Sequence, residues 1–213
     1  MKTKLGLAIG LVLGLGAGVS VAADDGFYLG VGTGLAISSP DTATATAITQ
    51  YFGGTVTGTS TDDNDTAVRF FAGYNFNKYI GVEVGYSDLG ESSVTVLDAV
   101  NGLTDYYKFA VTGYGISVVG NLPINNKFSA FGKLGVFSWN SDINAEVDLG
   151  FPFGVISADI SESGTVPVIG IGAIYRFTKN FSIRGEIEHI AIDKADAGTG
   201  DFNVVTANAM FHF

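Results

Sequence analysis

The sequence predicts an all-β fold, an eight-stranded antiparallel up-and-down barrel that crosses a membrane. Segments of about ten residues alternate between bulky apolar and small or polar side chains, which suits tilted membrane-spanning strands. The connections between these segments alternate between short and long. The last six residues, NAMFHF, show the same alternation and end on an aromatic. After residue 23 no stretch shows sustained helical periodicity, so no helix is expected there and strands are expected as the regular elements.

Composition narrows the class of protein. The chain has 213 residues, 30 glycines, 4 prolines and 12% aromatic residues, which suits short strands with close backbone approaches. It has no cysteine, which excludes disulfides and thiolate metal sites. The formal net charge of -10 argues against nucleic acid as a partner.

The N-terminus, residues 1–23, has the layout of a secretory signal peptide. Two lysines precede an uncharged apolar run, and small residues precede an acidic pair. Cleavage after Ala22 and cleavage after Ala23 both fit. The alternative is a transmembrane helix, because four glycines in this segment are spaced four apart. The signal peptide is favoured by its small residues, which leaves residues 24–213 as the barrel domain.

The first four predicted strands place bulky side chains at every second residue. In the first, Phe27, Leu29 and Val31 alternate with small residues and Tyr28. The second sets Arg69 opposite its apolar face, the third sets Glu83 there, and the fourth sets glycine, serine and asparagine there. These strands are expected at residues 26–36, 67–76, 79–89 and 111–122.

The last four predicted strands keep this alternation, the fifth least clearly. If Lys133 points away from lipid, Leu134 and Val136 face the lipid. The sixth sets Arg176 opposite isoleucine, alanine and aromatic residues, and the seventh sets three charged residues opposite phenylalanine and isoleucine. The eighth ends on Phe213. These strands are expected at residues 128–139, 166–177, 181–190 and 202–213.

The lengths of the connections between strands distinguish a membrane barrel from a soluble one. Short periplasmic turns at one rim and long polar extracellular loops at the other are typical of outer-membrane barrels. A soluble barrel would bury its bulky face inward, and an eight-stranded interior is too narrow for a second apolar core. The apolar face is therefore expected to meet lipid. The long loops are expected at residues 36–66, 88–105, 140–164 and 192–201.

Aromatic residues cluster at both ends of the predicted strands, as the two membrane interfaces favour. One cluster lies near the short turns and includes Phe211 and Phe213. The cluster expected near the long loops comprises Tyr86, Tyr106, Tyr107 and Trp139.

The stretch AGYNFNKYIGVEVGYSDLG resembles the second hairpin of the OmpA-like outer-membrane barrel family, and KLGVFSW and the closing strand are also similar. The resemblance covers residues 24–213. It implies that Phe213, with Phe211, serves as a signal for the barrel-assembly machinery. Larger family members carry a peptidoglycan-binding domain, which is not expected here because the chain ends at the last strand.

The alternation directs seven charged residues into the lumen, and these are the candidate site. One interpretation is a salt-bridged plug; the other is a gate whose pairs exchange partners. The resemblance implies a gate formed by Glu83 and Arg184. The family's lysine partner falls here among residues 117–119, and Ile174 replaces a lumen glutamate, so Lys133 is the alternative cation. The seven residues are Arg69, Glu83, Lys133, Arg176, Arg184, Glu186 and Glu188.

No cofactor, metal site or catalytic centre is expected. The two histidines, His189 and His212, are expected at opposite ends of the barrel. Glu186 and Glu188 are spaced as paired carboxylates, but nothing supplies a substrate cleft. The run TDDNDT at residues 61–66 lacks the spacing of an EF-hand loop.

The expected function is that of a Gram-negative outer-membrane barrel that supports envelope integrity and interacts through its surface loops. The expected partners are outer-membrane lipid and lipopolysaccharide, the barrel-assembly machinery, and host or phage ligands at the loops. The alternative is a narrow, low-conductance porin gated by the lumen salt bridges.

Overall fold

The computed structural model describes residues 26–38, 42–51, 55–62, 64–98, 104–148, 155–192 and 200–213. The predicted signal peptide, residues 1–23, lies outside them. In the described part of the chain, no helix is long and apolar enough to cross a membrane. The described elements are β1 Gly26–Ile37, α1 Thr42–Tyr51, β2 Val56–Asp62, β3 Asn64–Asn75, β4 Ile80–Asp98, β5 Thr104–Pro123, β6 Phe128–Asp148, β7 Val155–Arg176, β8 Phe181–Ile190 and β9 Phe202–His212.

Eight of the described strands form the closed barrel. Each barrel strand pairs antiparallel with the next along the chain, and β9 returns to pair with β1, with Val31 opposite Ala209. β2 is an additional strand, hydrogen-bonded to the far half of β4. The predicted eight-stranded up-and-down barrel is confirmed.

The strands alternate between an exposed apolar face and a buried inner face. In β9 the buried and exposed residues alternate without a break from Phe202 to His212. Leu134, Ile171 and Tyr114 are between 63% and 65% exposed, as lipid-facing side chains are in a protein without its bilayer. At the short-turn rim the rings of Phe211 and Phe213 lie 5.2 Å apart, centroid to centroid.

Two of the predicted long loops prove to be mostly strand. β4 and β5 extend to Asp98 and from Thr104, and β6 and β7 extend to Asp148 and from Val155. A bulge at Gly90, with φ of 76°, interrupts β4 where it leaves the membrane-spanning part. Because polar residues alternate less visibly than apolar ones, the sequence pattern hid these extensions.

The first predicted long loop, residues 36–66, contains α1 and β2, so the expectation of an irregular polar loop without a helix was wrong here. The helix lacks an apolar stripe, so periodicity did not predict it. Its Thr49 hydroxyl donates to Asp105 Oδ2 at 2.6 Å and lies 3.2 Å from the Tyr107 hydroxyl. Tertiary contacts with β5 therefore hold this helix over the extracellular strand extensions. Behind it, apolar side chains of β4 and β5 form a small core: Val94, Val96, Tyr107 and Phe109.

Two aromatic residues predicted for the outer girdle are instead buried on the inner faces of their strands, Trp139 in the lumen and Tyr107 in the small core behind α1. Trp139 is 2% exposed and Tyr107 is 1% exposed. Trp139 lies six residues from Lys133, so the two share a face of β6. Parity along the strand, rather than nearness to the loop, decides where this ring points. Tyr86 and Tyr114 lie on the outer face of the barrel, with their ring centroids 5.2 Å apart.

The loop-side half of the lumen holds an apolar core, contrary to the expectation that a narrow barrel excludes one. Phe137 and Trp139 fit because the facing residues are glycines. A Cβ at Gly113 would overlap the Phe137 ring, and one at Gly164 would overlap the Trp139 ring. The buried members of this loop-side core are Ala36, Ala67, Leu89, Val111, Phe137, Trp139, Val168, Ile190, Ile192, Phe202 and Val204.

The buried position of Trp139 predicts how strongly lipid-phase quenchers reduce its fluorescence. It is the single tryptophan of the sequence. Because it is buried in the lumen, a lipid-phase quencher such as brominated phosphatidylcholine should quench it several-fold less than a tryptophan on the outer face. The control is the double variant Tyr114→Trp, Trp139→Phe. Equal quenching of the two proteins would place Trp139 on the lipid-facing girdle and contradict the structure.

Candidate functional site

Six of the seven predicted lumen charges meet in the middle of the barrel. β8 supplies three of them, since Arg184, Glu186 and Glu188 are two residues apart on its inner face. β3, β4 and β6 supply one each. Every side chain of the six is less than 10% exposed. The group, called here the lumen network, comprises Arg69, Glu83, Lys133, Arg184, Glu186 and Glu188.

Each carboxylate in the lumen network contacts at least two cations. Arg184 reaches Glu83 at 2.5 Å and Glu186 at 2.8 Å, and Arg69 reaches Glu83 at 3.2 Å. Lys133 Nζ lies 2.8 Å from Glu186 Oε1. Glu188 pairs with both Arg69 and Lys133. Three cations and three anions therefore cancel, which is the condition under which buried charges are tolerated.

Aromatic side chains hold the Arg184 guanidinium in place. Its carbon lies 4.1 Å from the Phe131 ring centroid and 5.0 Å from that of Phe71, both within cation–π range. The Tyr28 hydroxyl donates to Glu83 Oε2 at 3.1 Å. Alternation along the strands places Tyr28 with the small residues of β1 and Phe71 on the same face of β3 as Arg69, but it does not show that these rings complete the network.

Lys133 forms ion pairs with all three carboxylates of the network. Its aliphatic chain crosses Gly170, where a Cβ would come within 2.9 Å of it. Its ammonium lies 3.8 Å from Glu83 Oε1, farther than the Arg184 contact to the same carboxylate. In the strand pairing, Ser117 lies opposite Glu83 and Ile174 lies opposite Arg184. Both side chains are uncharged, so the two positions at which the chain departs from the family pattern add no charge to the lumen network.

Arg176, the seventh predicted charge, lies below the lumen network. It pairs in register with Ser182, at the short-turn end of β7, whereas the network lies level with residues 184–188. There it lines a cavity of about 450 Å³ together with His212. Arg176 thus faces the lumen several residues closer to the short-turn rim than the other six charges.

The remaining candidate residues lie apart. His189 is 3.1 Å from Asn203 at the loop-side rim, and His212 is 2.8 Å from Ser182 at the other. In the TDDNDT run, Asp63 lies outside the described residues, and Asp65 accepts the backbone N–H of Glu91 at 2.7 Å. Within the described ranges no group of three His, Cys, Asp or Glu residues is arranged to hold a metal ion.

Comparison with known proteins identifies the family. The model of the OmpA-like transmembrane domain matches residues 22–213. The chain belongs to the OmpA-like transmembrane domain family. It is therefore an integral protein of the Gram-negative outer membrane.

Sequence relatives in this family are longer proteins. Outer membrane protein A of Yersinia pseudotuberculosis is 28% identical over 120 residues, covering 56% of this chain and 31% of that protein. Outer membrane protein A of Shigella flexneri is 29% identical over 130 residues, covering 60% of this chain and 34% of that protein. The match thus spans about a third of the length of these relatives.

Solved structures support the fold alone. The attachment invasion locus protein Ail of Yersinia pestis superposes with a TM-score of 0.53 at 16% identity, covering 89% of this chain and 99% of that one. Neisserial surface protein A superposes with a TM-score of 0.50 at 16% identity, covering 88% and 97%.

The neutrality of the lumen network predicts strong coupling between its members. Glu83→Gln and Arg184→Gln should each lower the free energy of unfolding by about 3 kcal/mol or more, because each leaves an uncompensated buried charge. The double variant should cost less than the sum, by about 1–3 kcal/mol. Urea unfolding in lipid vesicles measures this cycle.

The control for this cycle is Glu146→Gln, which removes an exposed carboxylate from the extracellular extension. That change should alter stability by less than about 0.5 kcal/mol. Strictly additive effects of the two lumen substitutions would contradict a coupled network.

Proposed function

We propose that this protein is a closed structural barrel that supports the outer membrane and presents its extracellular extensions as an interaction surface. The observation that carries the proposal is the filling of the lumen by two layers in series. The lumen network fills the middle, and the loop-side core, with Phe137 and Trp139, fills the end toward the loops.

The two layers oppose ion passage in different ways. In the lumen network an entering ion must compete with short, mutually neutralising pairs. In the loop-side core an ion would be stripped of water among side chains that offer no charge. Rearranging the ion pairs alone would open only the first layer, which favours a scaffold over a channel.

The extracellular extensions of β4–β7 supply the interaction surface. A transverse row on their outer face runs across four strands and mixes aromatic, acidic and hydroxyl groups: Thr95, Tyr106, Glu146 and Ser157. Surfaces that combine an exposed tyrosine with polar groups suit contacts with macromolecules. Host or phage molecules and lipopolysaccharide are the proposed partners for this surface.

The closing strand is the proposed signal for the barrel-assembly machinery. Phe211 is exposed on the lipid face, and the Phe213 backbone N–H donates to Phe27 O at 3.1 Å. In the folded barrel the last strand is held by backbone pairing, and its Phe211 ring faces outward.

One observation favours the porin alternative. Lys133 lies close enough to Glu83 to replace Arg184 as its partner, as an exchanging gate requires. In that case the loop-side core would have to become hydrated as the gate opens.

Planar-bilayer recording tests the closed barrel. The folded protein, shown to be inserted by protease protection, should give no discrete openings, and Lys108→Gln should behave identically because Lys108 pairs on the outside with Glu91. Reproducible openings would support the porin instead. They should change in Glu83→Gln and Arg184→Gln and recover when the two charges are swapped.

Trimming tests the division between scaffold and surface. Joining Glu91 to Ala110 through an Asn-Gly turn removes the extracellular part of the β4–β5 hairpin while keeping their paired register. The trimmed protein should still fold, insert and restore detergent resistance to a deletion strain, while adhesion to host cells is lost. A folded, inserted trimmed protein that fails to restore resistance would contradict the proposal.

A further inference from the structure

The extracellular extensions form a sheet with two open edges. Its strands follow the order β2-β4-β5-β6-β7, so β2 and β7 are the outermost strands. In the described part of the chain, β8 pairs with β7 only from Val168 onward, opposite Ile190. The chain then leaves this sheet, and Ile192 is buried in the loop-side core. One side of β7 from Val155 to Pro167 therefore has no described neighbouring strand.

The β7 edge is the longer and the more regular of the two. Its pairing with β6 runs along the whole strand without a register shift. The β2 edge has seven residues, and its pairing with β4 shifts between Val56 and Gly58. Residues 155–166 of β7 extend past the pairing with β8, which gives an edge about 40 Å long at about 3.4 Å per residue.

Alternate residues of β7 direct their backbone groups toward this open side, because successive residues of an antiparallel ladder bond to opposite neighbours. The Arg176 N–H donates to Lys127 O at 2.7 Å, on the side of β6. The Phe177 N–H donates to Phe181 O at 3.0 Å, on the side of β8. Even-numbered residues of β7 therefore bond to β6, and odd-numbered residues of the extension face the open edge.

Pro167 fits this assignment. It lies within the continuous ladder, opposite Val136, and a residue without an N–H is tolerated there when that position faces away from β6. Pro167 also ends the open edge at the barrel rim, since it has no N–H to offer. The odd-numbered residues with exposed side chains along the edge are Ser157, Asp159, Ser161, Ser163 and Thr165.

The edge lacks most of the features that block the addition of another strand. Proteins protect open edges with lysine, proline, bulges or a covering segment. Between Val155 and Val166 there is no lysine, arginine or proline, and the pairing with β6 has no bulge. Ser161, Glu162 and Ser163 are exposed in succession, so both faces of the strand are accessible there. Such an edge can pair with an extended segment of another polypeptide.

The charge around the edge favours one kind of partner. Residues 134–175 include five acidic residues and no lysine, arginine or histidine. Asp159 and Glu162 lie on the edge strand itself and are exposed. Opposite charges stabilise cross-strand pairs and like charges destabilise them, so a basic strand is favoured. A second copy that paired through the same edge would bring acidic residues of both copies together and is disfavoured.

We propose that the extracellular edge of β7 binds an extended basic polypeptide segment, which joins the sheet as an additional strand. The inference rests on the proposed interaction surface and specifies how that surface binds. Backbone groups of the odd-numbered residues supply the pairing, and Asp159 and Glu162 select lysine or arginine side chains.

Three synthetic peptides test the chemistry of the partner. The probe is a fluorescent dodecapeptide in which lysine alternates with threonine or valine. The second peptide carries glutamate in place of lysine. The third keeps the lysines but is N-methylated at two adjacent central residues, which blocks both of its backbone edges. Fluorescence anisotropy with the folded protein in uncharged maltoside micelles should show saturable binding of the probe and at least tenfold weaker binding of the other two.

Ser161→Pro tests the edge of the protein. It removes an N–H from the open side and leaves the pairing with β6, so binding of the lysine peptide should weaken at least tenfold. Ser161→Ala is the matched control, because it also loses the hydroxyl bond to Asp142 Oδ1 at 2.9 Å but keeps the N–H. It should change the affinity less than twofold.

A charge variant tests the selection of a basic partner. Asp159→Asn combined with Glu162→Gln should weaken binding of the lysine peptide several-fold. Glu91→Gln, which removes an exposed carboxylate from β4, should change it less than twofold.

Three results would overturn the proposal: no saturable binding of the lysine peptide, equal binding of the N-methylated peptide, or equal affinities in Ser161→Pro and Ser161→Ala. The peptide comparison needs no protein variant and decides the question if Ser161→Pro does not fold. Dimerisation in micelles that Ser161→Pro abolishes would assign the edge to a second copy and also contradict the proposal. Detergent resistance and bilayer recordings do not depend on this edge, so failure here leaves the scaffold function unaffected.

Discussion

The pairing of the last strand with the first is the constraint on which the rest of this protein depends. In lipid no water satisfies an open sheet edge, so the backbone N–H and C=O groups of β1 and β9 must bond to each other. Closure with eight strands then fixes a narrow interior. Every inward side chain must fit that interior, and every inward charge must find its partner there.

Different kinds of side chain fill the middle and the loop-side half of this narrow lumen. In the middle, long charged side chains from four strands reach across and neutralise each other, with Phe71 and Phe131 filling the space around Arg184. Toward the loops, Phe137 and Trp139 fill the interior because Gly113 and Gly164 leave room for their rings. Narrowness therefore does not exclude an apolar core; it requires that each large ring face a residue with no side chain.

The same type of residue has different consequences at different depths. Arg184 lies where carboxylates from β4 and β8 surround it, and it belongs to a neutral group. Arg176, on the adjacent strand but nearer the rim, lines the cavity at the short-turn mouth instead. The depth of an inward-facing charge along the barrel therefore decides which residues surround it.

The sequence by itself determined the number of barrel strands and which face of each meets lipid, because side-chain alternation is a local property with a period of two residues. The same parity would have turned Trp139 inward with Lys133. Only the tertiary structure decided which inward residues meet. The offset between neighbouring strands sets Arg176 against Ser182 and brings Arg69, Glu83 and Lys133 level with β8. That offset follows from strand tilt and closure, which involve strands far apart in the sequence. The helix α1 had the same origin, since its contacts to β5, rather than any pattern of its own, hold it in place.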